Sequence, residues 1–181
     1  IPQAPAGVKQ TTREALIQLI LKMQLDDGGW ALSGAKADPD ITAMAIQALA
    51  PYCATDAGVR TAVEEALVTL SSRQNDQGGF GSWGSANSES CAQVIVALTA
   101  LGIDPTADAR FIKNGYSLVD ALLSFYVDGG GFKHTHSGNR DGMATEQGYY
   151  ALAAYYRLLE GKTSLYDMTD VQSQAPYRLV V

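Results

Sequence analysis

The fold is decided by a stretch that begins with the turn Gln24-Leu25-Asp26-Asp27-Gly28-Gly29-Trp30 and continues into the apolar run Ile41-Thr42-Ala43-Met44-Ala45-Ile46-Gln47-Ala48-Leu49. The arrangement recurs twice: Gly78-Gly79-Phe80 precedes a run that ends in Ala97-Leu98, and Gly130-Gly131-Phe132 precedes one that ends in Ala151-Leu152. The three aromatic residues lie 50 and then 52 residues apart. Such fixed spacing is typical of a repeat architecture, so we interpret the chain as one unit used three times.

Hydrophobic periodicity and cap residues predict six helices around these turns. Their expected bounds are a start after Thr11 or Thr12, then Ile41 to about Ala50, Val59 to Arg73, Ser90 to Leu101, Ser117 to Tyr126 and Met143 to Leu159. Asp56 is the expected cap of the third helix, and a short extra turn is expected between Pro105 and Tyr116. The third helix has an apolar stripe of its own: Val63, Ala66, Leu67 and Leu70. The first helix has one apolar stripe, which we expect to face a core: Ala15, Leu16, Leu19, Ile20 and Met23. The second, fourth and sixth are apolar nearly all round, which indicates burial. We expect these of their residues to be buried: Ile41, Ala45, Ala48, Leu49, Val94, Ala97, Leu98, Ala151 and Leu152.

The predicted fold class is all-α, with the six helices paired into three hairpins over residues 11–160. We interpret residues 1–10 as a linker from a longer chain and residues 161–181 as a C-terminal extension. The apolar helices would form an inner layer. Trp30, Phe80 and Phe132 would fill the gaps between helix ends, with the glycines letting each turn tighten around them.

Charge and composition exclude several classes of function. The net charge is −6 and the isoelectric point about 4.8, so no basic surface is available to neutralise nucleic-acid phosphates. The longest nearly uncharged run is too short to span a bilayer. Only two cysteines are present, and we expect Cys53 and Cys91 to be free thiols.

The repeated residues resemble the α/α toroid of terpene cyclases and protein prenyltransferases, whose prenyltransferase and squalene oxidase repeats carry a Gln, a Gly-x-aromatic turn and an inner helix. Gln24 to Trp30 and Gln74 to Trp83 match this turn, while Phe125-Tyr126 replaces the Gln in the third repeat. The resemblance implies a toroid segment of three helical hairpins, half of a six-hairpin α/α barrel. Residues 144–168 resemble the end of such a repeat region in secreted bacterial surface proteins, which implies a secreted or cell-surface location.

Squalene cyclases of this fold place an Asp-x-Asp-Asp-Thr-Ala stretch at an inner-helix start, where the middle acid protonates the substrate. The resemblance aligns Asp38 with the first Asp of this stretch and Asp40 with the acid, but Ile41 replaces the next Asp, so the charge network that tunes such an acid is incomplete. The alternative is that Asp38 or Asp40 caps the helix against its macrodipole.

Prenyltransferase β subunits bind zinc with Asp-x-Cys at one inner-helix start and a His at the next. The resemblance places Glu89 and Cys91 at the first of these positions. The third ligand would fall near Ala144 or Thr145, and neither can replace an imidazole. We therefore expect no metal and no other cofactor, with Cys91 buried and the histidines of the loop His134-Thr135-His136 solvated.

One face of the three inner helices suits the lining of a concave ligand site: Asp40, Met44, Gln47, Glu89, Gln93, Val96, Met143, Gln147 and Tyr150. Buried Gln residues that hydrogen-bond to one another would explain the same pattern. We expect a non-catalytic repeat module of a secreted or cell-surface bacterial protein, either structural or binding a small apolar or amphipathic ligand. The alternative is a terpene cyclase or prenyltransferase-type enzyme that acts on an isoprenoid substrate.

Three hairpins leave one wall of the inner helices uncovered, and exposed apolar surface costs about 25 cal/mol per Å². We expect further repeats of the same chain, or self-association of two copies, to cover that wall.

Overall fold

The computed structural model describes residues 11–82 and 84–171. Helices account for 51% of these residues and strands for 4%, so the chain is mainly α, with six α-helices in the described ranges. The chain divides into two compact units, of which the first ends at Arg73 and the second begins at Gln74. None of the helices in these ranges has the length and apolar character that crossing a bilayer requires.

The first unit contains α1 (Arg13–Lys22), α2 (Pro39–Leu49), a 3-10 turn (Ala50–Tyr52) and α3 (Ala57–Arg73). Helix α3 contacts both α1 and α2. Its predicted core stripe is confirmed, since the following residues are all buried: Val63, Ala66, Leu67 and Leu70. Asp56 caps α3 as predicted, because its Oδ1 accepts hydrogen bonds from the N–H groups of Gly58 (2.8 Å) and Val59 (3.1 Å).

The prediction that the stripe of α1 faces a core is wrong. Leu16, Leu19 and Met23 are exposed by 49%, 52% and 57%, and no residue of α1 is buried. The half-buried positions include Ile17, Ile20 and Leu21, which form a second stripe that shares Ile20 with the predicted one. Because both stripes have helical spacing, the periodicity of this segment does not decide which one contacts the rest of the unit.

Helix α2 is buried on one face rather than all round. Thr42, Ala43, Ile46 and Leu49 are buried, which confirms the prediction for Leu49 alone on this helix. The other three predictions fail: Ile41 and Ala45 are half-buried and Ala48 is exposed. An apolar helix is buried only on the faces that have neighbours, and within the first unit the neighbour of α2 is α3.

The second unit contains α4 (Ser88–Ala100), α5 (Leu118–Leu123) and α6 (Gly142–Leu159). Helix α4 contacts α5 and, more extensively, α6. The predicted burial is confirmed for Val94, Ala97, Leu98 and Ala151, whereas Leu152 is half-buried.

Helix α5 ends three residues before its predicted end at Tyr126. The chain leaves the helix there because Tyr126 forms an antiparallel bridge with Phe132. The helix begins as predicted: Ser117 and Asp120 form a reciprocal capping box, in which the Ser117 hydroxyl accepts from the Asp120 N–H and the Asp120 carboxylate accepts from the Ser117 N–H.

Three short elements complete the second unit. The extra turn predicted between Pro105 and Tyr116 is a 3-10 turn at Ala109–Phe111, with Phe111 buried. Strands β1 (Phe132–Lys133) and β2 (Arg140–Asp141) pair antiparallel and were not predicted. They enclose the loop that carries both histidines, and this hairpin brings the loop to α4 and α5.

Candidate ligand-binding site

The first two repeated turns are closed by a glutamine side chain. Gln24 Nε2 donates to the carbonyl oxygen of Gly28 (2.8 Å), and Gln74 Nε2 donates to that of Gly78 (2.8 Å). Gly28 and Gly78 have φ values of +85° and +76°, a left-handed conformation that favours glycine. Each glutamine also donates to a distant backbone carbonyl, which ties the turn to its own unit; the acceptors are Ala62 (2.9 Å) and Phe111 (2.8 Å).

The first turn is joined to α2 through the backbone of Trp30. The Trp30 N–H donates to Thr42 Oγ1 (2.9 Å), and the Thr42 hydroxyl donates to the Trp30 carbonyl (3.0 Å). The Asp38 N–H donates to the same carbonyl (2.8 Å). The indole ring is buried as predicted, with its Nε1 donating to the Ile20 carbonyl (2.7 Å). A buried aromatic residue therefore has its backbone polar groups satisfied by one short side chain.

The second and third turns repeat this junction. The Phe80 N–H donates to Cys91 Sγ (3.4 Å), and the Cys91 thiol lies 3.9 Å from the Phe80 carbonyl, to which it donates. The Phe132 N–H donates to Thr145 Oγ1 (3.0 Å), whose hydroxyl donates back to the Phe132 carbonyl (3.4 Å). Both rings are buried, as predicted. Cys91 thus occupies the position that a threonine occupies in the other two repeats.

This position explains the cysteine that the toroid resemblance aligns with a zinc ligand. Cys91 is fully buried and its sulfur contacts the backbone of Phe80. Thr145, where the resemblance would place a further ligand, contacts the backbone of Phe132 in the same way. Within the described ranges no three His, Cys, Asp or Glu side chains are grouped so that they could hold a metal ion. Both cysteines are free thiols.

The third junction is closely packed because α6 has Gly148 beside the ring of Phe132. A Cβ atom on this residue of α6 would lie 2.4 Å from the ring of Phe132. Tyr149 packs edge-on against the same ring, with centroids 5.7 Å apart. The glycine therefore lets the aromatic side chain of the turn lie directly on the helix, a close approach that the Gly-Gly-Phe pattern alone does not reveal.

Asp38 is a helix cap. Its Oδ1 accepts hydrogen bonds from the backbone N–H groups of Asp40 (3.0 Å) and Ile41 (3.1 Å) at the start of α2. Asp40, half-buried, lies in the first turn of the same helix. Of the two interpretations of this acidic pair, the geometry at Asp38 is the one expected for a cap that satisfies the helix N-terminus.

Glu89 pairs with a histidine. His134 Nδ1 lies 2.8 Å from Glu89 Oε2, with the Glu89 side chain 12% exposed and that of His134 60% exposed. Ser88 supports the pair, because its N–H donates to the His134 carbonyl (3.1 Å) and its hydroxyl donates to the Lys133 carbonyl (2.8 Å). His134 is exposed, as predicted, and one nitrogen of its ring is nevertheless in contact with Glu89 of α4. No signal in the sequence marks this contact, since it depends on the β1–β2 hairpin.

The predicted ligand-binding residues of the second unit lie on the facing surfaces of α4 and α6. Gln93 Nε2 donates to Gln147 Oε1 (3.0 Å), which joins the two helices. Met143, at the start of α6, is 65% exposed, and the hydroxyl of Tyr150 contacts that of Tyr166. Burial and this contact raise the pKa of the Tyr150 phenol, which stays protonated at neutral pH. Val96 is buried and does not line a surface, contrary to its predicted place.

The remaining predicted residues lie on α2, in the first unit. Met44 is exposed by 47%, and Asp40 and Gln47 are half-buried. They share the face that the sequence assigns them, at positions 40, 44 and 47. We call the predicted lining residues of the second unit the α4–α6 face: Glu89, Gln93, Met143, Gln147 and Tyr150. Gln93 is buried, Met143 is exposed, and the other three are half-buried.

The second histidine of the loop, His136, hydrogen-bonds to a serine, but the direction of the bond is opposite to that in a catalytic Ser–His pair. His136 Nε2 lies 2.9 Å from Ser124 Oγ. The Ser124 hydroxyl donates its single hydrogen to the Ala121 carbonyl (2.6 Å), so the imidazole donates to the serine rather than taking its proton. Phe125 stacks on the His136 ring with centroids 4.1 Å apart. The pair is a structural contact between α5 and the loop.

No protein-family model matches the chain, and no curated protein matches it either. The resemblance to toroid repeats consequently stays a prediction from the sequence.

Proposed function

We propose that the chain is a non-catalytic α/α toroid repeat module of a secreted or cell-surface protein, and that it binds a small amphipathic ligand on the α4–α6 face. The hydrogen bond between Gln93 and Gln147 supports the proposal because it brings the predicted faces of α4 and α6 together. The two glutamines satisfy one another without a ligand, so the exposed side chain of Met143 carries the binding argument. Glu89 and Met143 precede the two glutamines by four positions and Tyr150 follows Gln147 by three, spacings that share a helix face. Apolar surface with a few fixed polar groups is the composition of small-molecule sites.

The proposal that the module is non-catalytic rests on the contacts of Asp38 and Cys91, which the resemblance aligns with a cyclase acid motif and a zinc ligand. Asp38 accepts hydrogen bonds from the backbone at the N-terminus of α2, and Cys91 bonds to the backbone of Phe80. Each has a structural counterpart elsewhere: Asn87 caps α4, and Thr42 and Thr145 occupy the position of Cys91 in the other repeats. Because Asp38 and Cys91 have the same structural roles as these counterparts, neither requires a catalytic role.

The binding part is tested with geraniol, a small isoprenoid alcohol, as the probe in isothermal titration calorimetry. Met143→Lys places a charge on the α4–α6 face and is expected to weaken binding about tenfold, since apolar contact is lost. Met23→Lys is the matched control, because Met23 is an exposed methionine on α1 and lies outside the face. Equal affinities for the two variants, or no measurable binding to the unmodified protein, would contradict a ligand site on this face.

The non-catalytic part is tested separately by incubating the protein with squalene and with farnesyl diphosphate and analysing the products by mass spectrometry. We expect both substrates to be recovered unchanged. Product formation that disappears in Asp40→Asn would contradict the proposal and favour an enzyme of the cyclase type.

A further inference from the structure

A groove of about 500 Å³ lies beside α5 in the second unit and shares no residue with the α4–α6 face. Its volume falls within the range of small-molecule sites. Three segments line it, namely the second glycine turn, the start and body of α5, and the β1–β2 loop. The lining residues are Gln77, Tyr116, Asp120, Ala121, Ser124 and His136.

One wall of the groove is fixed by close backbone packing. A Cβ atom on Gly78 would lie 2.7 Å from the Ser117 carbonyl oxygen, so the glycine turn lies directly against the segment before α5. Asn114 Nδ2 donates to the Asp76 carbonyl (3.2 Å) across the same boundary. Gln77 and Tyr116 are adjacent in sequence to residues that make these contacts, so both are held on the same wall of the groove. A site formed before the ligand arrives loses less conformational entropy on binding.

A second part of the groove lining is fixed by the contacts of His136. The His136 ring stacks on Phe125 and its Nε2 bonds to Ser124 Oγ, so two independent contacts set its orientation. Because the Ser124 hydroxyl donates to the Ala121 carbonyl, His136 Nε2 carries a hydrogen and, in the neutral ring, Nδ1 is an acceptor. This imidazole therefore offers a fixed flat ring together with one hydrogen-bond acceptor.

The charge of the groove disfavours anionic ligands. Hydrogen bonds from the hydroxyl and the N–H of Ser117 to Asp120 Oδ2 lower the pKa of this carboxyl, which is therefore ionised at neutral pH. The described lining contains no Lys or Arg to balance that charge. Phosphate and carboxylate ligands would meet a negative potential here.

The remaining lining groups match a ligand rich in hydroxyls. Gln77 and Tyr116 each carry both a donor and an acceptor, as a sugar hydroxyl does, and Asp120 adds a strong acceptor. Ala121 is the one aliphatic side chain among the lining residues, which is too little for a hydrocarbon. The exposed ring of Tyr116 offers a flat apolar surface of the kind that packs against the C–H face of a pyranose.

We propose that this groove binds a neutral saccharide, with one pyranose ring against Tyr116 and its hydroxyls hydrogen-bonded to Gln77 and Asp120. The site is a second binding function, since it uses none of the residues of the α4–α6 face.

Amide NMR spectra of the full chain, titrated with methyl β-glucoside, methyl β-galactoside and N-acetylglucosamine, test the proposal. At least one probe is expected to shift the amide resonances of Gln77, Tyr116 and Ser124 with millimolar affinity. Tyr116→Ala and Gln77→Ala should each weaken that affinity about fivefold or more, since an aromatic or hydrogen-bonded contact is lost. Both side chains are exposed, so these variants are expected to fold. Tyr156→Ala, another exposed tyrosine outside the groove, is the control and should bind unchanged.

Three results would overturn the proposal. The first is that none of the three saccharides shifts these resonances. The second is that shifts occur but persist with the same affinity in both groove variants. The third is that methylguanidinium, added as a cationic probe, binds the groove more tightly than every saccharide, which would make Asp120 the anchor of a cation site.

Discussion

The first and second turn–helix junctions use the same hydrogen-bond arrangement with different atoms. In the first, Thr42 Oγ1 accepts the N–H of the buried aromatic residue at 2.9 Å; in the second, Cys91 Sγ accepts it at 3.4 Å. Sulfur is larger and a weaker acceptor, which accounts for the longer contact. This position therefore requires a short side chain that can both accept a hydrogen bond from the backbone and donate one to it. The requirement explains the cysteine without any metal.

The two turns also differ in charge. Asp27 of the first turn accepts hydrogen bonds from the Ala37 N–H (2.9 Å) and from Arg73 Nη2 (2.9 Å). The equivalent position, 50 residues further on, is Gln77, which carries no charge and lines the proposed saccharide groove. One turn therefore uses this position to hold its own unit together, and the other leaves it available at the surface.

Removing the aromatic side chains should have the largest effect on either junction. Trp30→Ala and Phe80→Ala are each expected to lower the free energy of unfolding by about 3–5 kcal/mol, because a large buried ring leaves a cavity. Urea unfolding followed by circular dichroism measures the loss. Tyr156→Ala, at an exposed position, is the control. A loss below about 1 kcal/mol for either junction variant would mean that its ring does not contribute to the core.

Removing the hydroxyl of the first junction should have an intermediate effect. Thr42→Val keeps the shape of the side chain but leaves the buried Trp30 N–H without its acceptor, which should cost about 1–3 kcal/mol of unfolding free energy. Thr42→Ser retains the hydroxyl and is the matched control. If both variants lose the same stability, the methyl group rather than the hydrogen bond is what this position requires.

Removing the helix cap beside either junction should lower the free energy of unfolding by a smaller amount, which is about the same for both. Asp38 caps α2 and Asn87 caps α4, where Asn87 Oδ1 accepts from the Ser90 N–H (2.8 Å). Asp38→Ala and Asn87→Ala are each expected to cost about 1 kcal/mol, the usual value for a lost N-cap. Thermal unfolding compares them with Asp26→Ala, at an exposed position. An effect at Asn87 alone would show that Asp38 has a role other than capping.

The smallest expected effect is a difference between the two turns in how much stability each loses at low pH. Burial acts to raise the pKa of Asp27, but hydrogen bonds from the Ala37 N–H and Arg73 outweigh it, and the pKa is lowered overall. A lowered folded-state pKa gives stability that is present above the unfolded value of about 3.9 and is lost as the pH falls further. The Asp27 carboxylate is partly exposed, so we expect the effect to be at most about 1 kcal/mol.

The Trp30 indole resonance reports this difference for the first turn, and the Gln77 amide reports it for the second. Below about pH 4 the Trp30 resonance should follow the protonation of Asp27, whereas the side chain at the equivalent position, Gln77, does not titrate. Asp27→Asn should be less stable at neutral pH and should lose that part of the acid response. An acid response at Trp30 that is unchanged in Asp27→Asn would contradict the assignment to Asp27.

The sequence predicts the parts of the fold that local chemistry decides. The glycine turns, the buried Trp30 and the cap at Asp56 follow from residue types with strong backbone preferences or large apolar surface. Burial of the α3 stripe follows in the same way, because polar residues occupy the opposite side of that helix.

The remaining features depend on contacts between distant segments. Helix α1 carries two adjacent apolar stripes, so periodicity does not determine that Leu19 is exposed and Ile20 half-buried. The Glu89–His134 pair and the stacking of His136 require a hairpin of two-residue strands, which is too short to leave a pattern. The role of Cys91 was readable in part, since Thr42, Cys91 and Thr145 follow their aromatic residues by 12, 11 and 13 positions.

The most direct test of the structural role of Cys91 is the free energy of unfolding of the unmodified protein and of Cys91→Ser, each measured with and without added zinc. A serine hydroxyl can make the same contacts with the Phe80 backbone, so the two proteins should agree within about 1 kcal/mol. Neither should respond to zinc. Stabilisation of the unmodified protein by micromolar zinc that is absent from Cys91→Ser would show that the folded state binds the metal through this thiol, and would contradict the account.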